Sequence, residues 1–383
     1  MAERIYLDWN ATTPLRPEAK AAIAHAWDTG GNPSSVHAEG RQARQLVEDA
    51  RAAVAAAVGA EAANVIFTSG GTEANSLALT PGLRRNKGPA VERLLISAIE
   101  HASVLSGGRF AAEATARIGV TRTGVVDLDR LRALLDGPPA LVSIMLANNE
   151  TGAIQPVAEA AGMVHAAGGL LHVDAIQALG KIPFDLASIG ADLVSLSAHK
   201  IGGPKGVGAL VLAEGVEGLA PLLRGGGQEK GRRAGTEDVA GIAGFGAAAK
   251  AALACRERDA ARMEGRRERL EAGLQATPGT VVFAEEVQRL PNTVLFAVPG
   301  LRAETAVIGF DLAGIAVSSG SACSSGKVQP SHVVEAMGFG PELALGAVRL
   351  SLGWSTTEAD VGRALEAWRK LADSLLRGRR NTA

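Results

Sequence analysis

The sequence predicts an α/β protein in which helices cover a mostly parallel sheet. Short apolar runs of strand length alternate along the chain with longer segments of helical periodicity, which is the element order of a doubly wound sheet. The chain has 47 glycines, and they cluster in the loops between these runs. Its 383 residues exceed what one ordinary core accommodates, so we expect two domains.

Composition narrows the class of protein. Hydrophobic residues make up 47% of the chain and charged residues 21%, as in soluble globular proteins. A net charge of −1 provides no overall field for nucleic acid or an anionic membrane. Two cysteines without a CxxC pair argue against a disulfide scaffold and indicate a reducing compartment. With no apolar run of membrane-spanning length and no leader-like start, we expect a cytoplasmic protein with neither nucleic-acid nor membrane partners.

The first third of the chain predicts two helices and then a candidate phosphate site. Residues 17–29 carry an apolar stripe, and residues 39–58 are rich in alanine, so both should be helical. A strand over 65–68 leads through Ser-Gly-Gly-Thr into a helix, and such a helix start offers free N–H groups to a phosphate. Gly71 would let the backbone approach the anion, with Thr72 as helix cap or phosphate ligand. Many strand-to-helix turns look similar.

The next four strands each end in a polar side chain. Apolar runs at 94–97, 141–146, 169–173 and 192–196 predict these strands. Open α/β sheets bind ligands at the carboxyl ends of their strands. We therefore expect the residues that follow the strands to share one site: Thr72, His101, Asn149, Asp174 and Lys200.

Lys200 and Asp174 suggest the chemistry of that site. Lys200 lies on a glycine-rich turn between two strands, where a lysine can present an amine to a carbonyl cofactor; the alternative is a solvated surface turn. A carboxylate at a strand end, such as that of Asp174, can hold the ring proton of pyridoxal phosphate (PLP). His101 is either a proton-transferring group that stacks on the cofactor or a histidine that caps the next helix.

The second half of the chain predicts a long helix and a smaller α/β layer. Residues 241–274 should form one helix, the hinge between domains. The GxGxxA match at 244–249 is rejected as a dinucleotide site because no strand precedes it. Strands at 281–283, 293–298 and 347–352, with helices at 304–313 and 361–376, complete the layer. We predict a large domain of residues 15–253 and a small one of residues 1–14 and 254–383.

Two further residues are functional candidates. Cys323 lies among serines and glycines in residues 318–326, and a cysteine on such an exposed loop is a candidate nucleophile; the alternative is an incidental thiol. Arg349 sits on an apolar strand, where an unpaired guanidinium would be costly. Its partner is either the carboxylate of an amino-acid substrate or a protein acid.

These motifs resemble those of a known family. Asp174, Gln177, His199 and Lys200, in that order and spacing, resemble the PLP-dependent class-V aminotransferases. LDWNATTP at 7–14, EHASV at 100–104 and SSGSACSSG at 318–326 narrow the resemblance to cysteine desulfurases with the longer cysteine loop. The resemblance runs from Tyr6 to about residue 360. It implies fold type I, with a mostly parallel seven-stranded sheet in the large domain, and PLP as cofactor.

The resemblance also implies a role for each residue. L-cysteine would be converted to L-alanine, and its sulfur would pass as a persulfide on Cys323 to an iron–sulfur scaffold or another acceptor protein. Thr236, in the glycine-rich segment 225–236, would reach the cofactor of the neighbouring subunit in a homodimer. No intrinsic metal is expected, although Cys323 is where an iron–sulfur cluster would bind transiently. The implied catalytic residues are Lys200, Cys323 and His101; the cofactor-binding residues are Gly71, Thr72, His101, Asn149, Asp174, Gln177, Ser197, His199, Lys200 and Thr236; the substrate-binding residues are Asn149 and Arg349.

Three alternatives remain open. Selenocysteine lyase, or dual use, would employ the same residues. Another class-V aminotransferase or lyase would not need Cys323. A catalytically idle sulfur carrier would need only Cys323, although the intact set around Lys200 argues against it. The sequence does not reveal whether the sulfur goes to general iron–sulfur assembly, a nitrogenase pathway or tRNA thiolation.

Overall fold

The computed structural model describes residues 4–320 and 329–380. Among these residues the helices are α1 Pro17–Thr29, α2 Ala38–Ala57, α3 Gly71–Ala78, α4 Ala102–Leu105, α5 Leu128–Leu134, α6 Val157–Ala166, α7 Val239–Gln275, α8 Ala303–Leu312, α9 His332–Ala336, α10 Pro341–Gly346 and α11 Glu358–Arg380. The strands are β1 Ile5–Tyr6, β2 Val65–Thr68, β3 Arg84–Arg85, β4 Arg93–Ser97, β5 Thr115–Ile118, β6 Ala140–Met145, β7 Leu170–Asp174, β8 Leu193–Ser197, β9 Gly208–Leu212, β10 Val216–Glu217, β11 Val281–Val282, β12 Thr293–Ala297, β13 Ile315–Ala316, β14 Ser318–Ser319 and β15 Val348–Ser351.

A seven-stranded sheet forms the centre of the larger layer. Its strand order is β2-β9-β8-β7-β6-β4-β5. Strand β9 runs antiparallel to both neighbours, and all the other pairs are parallel. Two antiparallel pairings in succession return β2 to the direction of β8, so β2, β4, β6, β7 and β8 end at the same edge. The predicted mostly parallel sheet is confirmed, and its carboxyl edge collects the residues that follow five strands.

The strands are buried because helices cover the sheet. β2, β6, β7, β8 and β9 are buried at every position, as their continuous apolar runs predicted. β5 was not predicted. It is one of the two edge strands and pairs only with β4. Two of its four positions are partly buried and Arg117 is exposed, so it lacks the continuous apolar run that identified the buried strands.

A buried histidine at the centre of the large sheet has hydrogen-bond partners for both ring nitrogens. His172 on β7 is fully buried, and its two ring nitrogens lie 2.8 Å from the hydroxyls of Ser143 and Ser195 on the flanking strands. Burial lowers the pKa of His172 to about 3, so the ring is neutral at physiological pH. These hydrogen bonds join β6, β7 and β8 beneath the edge at which Asp174 lies.

Helix α7 connects the two layers. Within the described residues it is the one helix long and apolar enough to pass a simple test for a membrane span, and more than half of its apolar window is buried inside the protein. Its apolar surface packs against α1 and α2. Its bounds, Val239–Gln275, extend the predicted helix by only a few residues.

The second layer is built around a four-stranded sheet, β11-β12-β15-β14. Strand β1, at the start of the chain, pairs in parallel with β13, more than 300 residues later. One apolar cluster draws its members from residues 19–252, and another from residues 5 and 7 with residues 263–372. The predicted domain boundaries separate these clusters; as domain limits they stay a prediction.

Trp9 packs the start of the chain against the second layer. Its indole is 3% exposed, donates from Nε1 to the carbonyl of Tyr6 at 2.9 Å, and meets Trp354 edge-on with ring centroids 4.7 Å apart. Gly353 lies directly on this ring, because a Cβ at that position would stand 2.0 Å from Trp9 Cδ2. Only glycine leaves room for the indole here.

Gly353→Ala should therefore lower the free energy of unfolding by about 3 kcal/mol or more, since the rigid ring cannot yield as a flexible side chain would. Urea unfolding of both proteins measures the change. Gly162→Ala is the matched control: Gly162 is exposed in α6 with nothing within 4 Å of the added Cβ, so that variant should gain about 0.5–1 kcal/mol. Equal stability of Gly353→Ala and the wild type would contradict the packing argument.

Candidate active site

A cavity of about 300 Å³ opens at the carboxyl edge of the large sheet. Its walls combine both signs of charge with polar groups, as expected where strand ends meet. The cavity is lined by Asn10, Ala11, Gly71, Thr72, His101, Ser103, Met145, Ala147, Asn149, Asp174, Ile176, Gln177, Ser197, His199, Lys200 and Arg349. Every predicted site residue is among them except Thr236 and Cys323.

Lys200 lies on a short turn, residues 198–200, directly after β8. Its Nζ donates to the backbone carbonyls of Asn10 at 2.6 Å and Ala11 at 2.8 Å. These carbonyls belong to the segment that follows β1, so the N-terminal part of the chain completes this wall of the cavity. The side chain is half-buried and faces the same cavity as Asp174.

Asp174 ends β7 and is 5% exposed. Its Oδ2 accepts from Asn75 Nδ2 at 2.8 Å, and its Oδ1 accepts from the backbone N–H of Ile176 at 3.0 Å. Burial raises the pKa of Asp174, while these two donors and the positive charge of Lys200 act in the opposite direction. Sequence reasoning missed Asn75, which sits on α3 and carries no motif that identifies it as a partner of Asp174.

The N-terminus of α3 supplies backbone donors to the cavity. Gly70 precedes the helix with a φ of 151°, and no side chain caps the first turn. Gly71 is buried, and a Cβ there would lie 2.3 Å from Ile176 Cδ1. Thr72 is exposed at the cavity wall. Such an arrangement suits an anion, and the predicted phosphate role of Gly71 and Thr72 stays a prediction.

The two predicted histidines are placed differently. His101 is the N-cap of α4, where Nδ1 accepts from the backbone N–H of Ser103 at 3.2 Å and lies 2.8 Å from its hydroxyl. The capping role and the place in the cavity therefore coexist. His199 contacts Thr12 Oγ1 through Nδ1 at 3.1 Å, and burial together with nearby lysines lowers its pKa to about 4.

Arg349 is paired inside the protein. It lies on β15 and is 3% exposed; Nη2 donates to Asp8 Oδ1 at 2.7 Å and Nη1 to the carbonyl of Asn149 at 3.0 Å. Its Nε is buried without an acceptor among residues 4–320 and 329–380. Of the two alternatives from the sequence, the structure shows the protein acid, Asp8; the role of Arg349 towards a substrate carboxylate stays a prediction. Sequence reasoning assigned no role to Asp8.

The two remaining predicted residues lie outside this cavity. Thr236 is exposed and lines a neighbouring cleft with Ser69 and Gly206, so the structure does not bring it to the Lys200 cavity of its own chain. Cys323 lies outside the described residues. The last described residue before it, Gly320, donates from its backbone N–H to the carbonyl of Ala347 at 2.9 Å.

A buried glutamate that the sequence did not indicate lies beside the cavity. Glu150 is 2% exposed, and its Oε2 accepts a 2.5 Å hydrogen bond from Ser331 Oγ. The same oxygen contacts Gly320, where an added Cβ would lie 2.9 Å away. Burial raises the pKa of Glu150 to about 7, against the favourable influence of Ser331, Arg349 and His101. The carboxyl thus changes charge near neutral pH.

This pKa links Glu150 to stability. The folded protein binds the proton more tightly than the unfolded chain, whose carboxyl titrates near 4.5, so the free energy of unfolding should fall as the pH rises from about 4.5 through about 7. Relative to Glu150→Gln, which keeps an acceptor for Ser331, the wild type should lose on the order of 3 kcal/mol. Urea unfolding at pH 5 and pH 8 measures the difference, with exposed Glu92→Gln as control. Identical pH slopes in wild type and Glu150→Gln would refute it.

Comparison with known proteins identifies the family. The chain matches the class-V aminotransferases over residues 5–364. It is 45% identical over 380 residues to a cysteine desulfurase of Cereibacter sphaeroides, with 97% of each chain covered. A NifS-like protein from Rickettsia africae ESF-5 superposes with a TM-score of 0.88 at 37% identity, covering 97% of this chain and 100% of the other. The structure of SspA in complex with cysteine gives a TM-score of 0.74 at 27% identity, covering 92% of this chain and 100% of that one.

These similarities confirm both the resemblance and the fold class that the motifs predicted. They extend over nearly the whole chain, so they include both layers and the cavity between them. The chain therefore belongs to the class-V aminotransferase family and, within it, to the cysteine desulfurases.

Proposed function

We propose that the protein is a PLP-dependent cysteine desulfurase, which converts L-cysteine to L-alanine and transfers the sulfur as a persulfide on Cys323. The observation that carries the proposal is the meeting of Lys200 and Asp174 in one cavity, with the donors of α3 and the guanidinium of Arg349 in its wall. An amine, a buried carboxylate, an anion site and a cation are the groups that PLP and an amino acid require together.

The residues present fit PLP. The open N–H groups at α3, where Gly71 has no side chain, suit the phosphate, with Thr72 beside them. Asp174, oriented by Asn75 and the backbone of Ile176, suits a protonated ring nitrogen. When bound through the amine of Lys200, PLP supplies an electron sink for bonds broken at the substrate α-carbon. Gln177, Ser197, His199 and Asn149 are the proposed polar contacts around it.

The substrate carboxylate is proposed to bind Arg349 and Asn149. Arg349 is held by Asp8 and by the Asn149 carbonyl, so its remaining donors are fixed in direction before substrate arrives. Lys200 and His101 are proposed to move protons between the α-carbon and the departing sulfur. Both side chains line the cavity, and Ser103 fixes the ring of His101 through Nδ1.

Cys323 is the proposed sulfur acceptor. Its thiolate would attack the substrate sulfur, a new S–S bond would form, and the carbon–sulfur bond would break with its electron pair and a proton left on carbon. L-cysteine and the Cys323 thiol thus yield L-alanine and a Cys323 persulfide, with no other oxidant or reductant. The persulfide sulfur then passes to an acceptor protein, and we propose an iron–sulfur scaffold protein as this acceptor. Cys323 is also the residue at which an iron–sulfur cluster would bind transiently.

A homodimer is proposed for the working enzyme. Thr236 is exposed and lines a cleft other than its own Lys200 cavity, which suits a residue that serves the phosphate of a second subunit. Apolar side chains are exposed elsewhere on the surface, among them Trp27 at 76% and Val36 at 88%, and these could be covered in a dimer.

The cytoplasm is the proposed location, supported by the small number of cysteines.

The primary test compares two cysteine variants. Cys323→Ala should lose nearly all alanine release from L-cysteine in the presence of a thiol reductant, while it keeps the PLP absorbance of the wild type. Cys255→Ala is the matched control, because Cys255 lies within α7, away from the cavity, and should leave the rate unchanged. Alanine release from Cys323→Ala at the wild-type rate would remove the persulfide step from the proposal.

The carboxylate anchor is tested by Arg349→Lys. Lysine keeps the charge but loses the planar fork that serves Asp8, Asn149 and substrate at once, so the KM for L-cysteine should rise about 10- to 100-fold. Initial rates measure the change. Arg267→Lys, at a buried arginine paired with Glu271 on α7, controls for the general cost of this exchange and should leave KM unchanged. An unchanged KM in Arg349→Lys would place the anchor elsewhere.

A further inference from the structure

Lys181 is a buried lysine beside the active site that the proposed chemistry leaves unused. It is 7% exposed, and within the described part of the chain it makes no salt bridge. A buried ammonium without an acidic partner is costly, and lysines are rarely buried unless they are paired. Burial and the positive charges of Lys200 and Arg349 lower its pKa. A packing role alone would be filled better by methionine or leucine.

The hydrogen bond of Lys181 leads directly to the cavity. Its Nζ donates to Gln177 Oε1 at 2.6 Å. Gln177 Nε2 in turn donates to the carbonyl of Asn10 at 2.9 Å, and this carbonyl also accepts from Lys200 Nζ at 2.6 Å. Lys181 and Lys200 are thus the two ends of one chain of hydrogen bonds that passes through Gln177.

This chain determines which end of the Gln177 amide faces which neighbour. A backbone carbonyl has only acceptor sites, so the amide nitrogen must face Asn10. The Lys181 Nζ carries N–H donors in both its charged and its neutral form, so it can donate to the amide oxygen on the opposite side. The two neighbours agree, and reversing the amide would place its oxygen against the Asn10 carbonyl. Gln177 therefore has its N–H donors on the Asn10 side, and Gln177 lines the large cavity.

A second, much smaller cavity lies beside Lys181. It measures about 20 Å³ and is lined by Lys181 and Lys200 together with Thr13, Asp259 and Asn292, among others. This volume is enough for one water molecule, and the polar side chains around it could supply the two to four partners that a buried water needs. The N–H groups of Lys181 that do not bond to Gln177 thus have polar surroundings.

We propose that Lys181 is a positioning residue of the cofactor site, which fixes the side-chain amide of Gln177 so that it offers N–H donors to an acceptor oxygen of the bound cofactor. This proposal rests on the proposed function, because it takes PLP as the ligand of the large cavity. Lys181 does not touch the ligand and acts only through Gln177.

The test is a double-mutant cycle on the binding of PLP to apoenzyme, followed by absorbance. Lys181→Met should raise the dissociation constant of PLP about five- to twentyfold, as expected for a mispositioned hydrogen-bond donor. In a Gln177→Ala background the same change should alter the dissociation constant less than about twofold, because the residue through which Lys181 acts is gone. Lys250→Met, at an exposed lysine of α7, is the control and should leave it unchanged.

Thermal unfolding of the apoenzymes separates positioning from folding. Methionine is close to lysine in length and replaces a buried amine with an apolar group, so Lys181→Met should unfold at the wild-type temperature or above while it binds PLP more weakly. Lys181→Gln, which keeps a donor without the charge, should retain most of the PLP affinity and serves if the methionine variant fails to fold.

Two results would overturn the proposal. One is an equal loss of PLP affinity from Lys181→Met in the Gln177→Ala background; the other is unchanged PLP affinity in Lys181→Met. Neither touches the proposed function, which is tested separately by PLP binding and alanine release in the wild type. If the wild type bound no PLP, the proposed function itself would fail.

Discussion

The carbonyl of Asn10 accepts hydrogen bonds from Lys200 Nζ and Gln177 Nε2, and the arrangement of the site depends on it. The same residue donates from Nδ2 to the carbonyl of Asn149 and to Thr293 Oγ1, on the second layer. At 1% exposure, its polar groups are shielded from water and depend on protein partners, which also include Ser351 and Asn292. Asn10 thereby connects the carboxyl ends of strands in the large sheet to the start of β12 in the small sheet.

The site concentrates ionisable groups that a core would otherwise exclude. Asp174, Glu150 and Lys181 are all nearly inaccessible to water, and burial shifts the pKa of each towards its neutral form. Their desolvation is unfavourable, and the large apolar cluster around the sheet offsets it. Of the three, Asp174 lines the cavity, so a ligand with a ring cation would provide a counter-charge for this carboxylate and would couple binding to stability.

Local patterns predicted the framework of the site but not its cross-chain contacts. Apolar runs located β2, β4, β6, β7 and β8, and the rule that ligands bind at carboxyl ends placed Asp174 and Lys200 together. The hydrogen-bonded pairs of the site join residues far apart in sequence. The separation is 99 residues for Asp174 and Asn75, 181 for Glu150 and Ser331, and 341 for Arg349 and Asp8. No periodicity connects positions so distant in sequence. These pairs follow only from the way the two layers pack.

The sequence analysis also missed two features that depend on distant parts of the structure. The edge strand β5 is too exposed to show an apolar run, and its place is set by pairing with β4 alone. The indole of Trp9 fills the space that Gly353 leaves open, a contact that no local pattern predicted. Both depend on a neighbour that the local sequence does not specify.

The pairing of β1 with β13 determines the order in which the protein can be completed during synthesis. Residues 5–13 are synthesised some 300 residues before Ile315–Ala316, the partners of β1. The seven-stranded sheet has all its strands once residue 212 is made, so it can form while the N-terminal segment is still unattached. The segment that carries the Asn10 and Ala11 carbonyls can meet the Lys200 turn before then, but it gains its β1 anchor only after residues 315–316 have been made. The sheet that frames the site can thus precede the pairing that fixes the first strand.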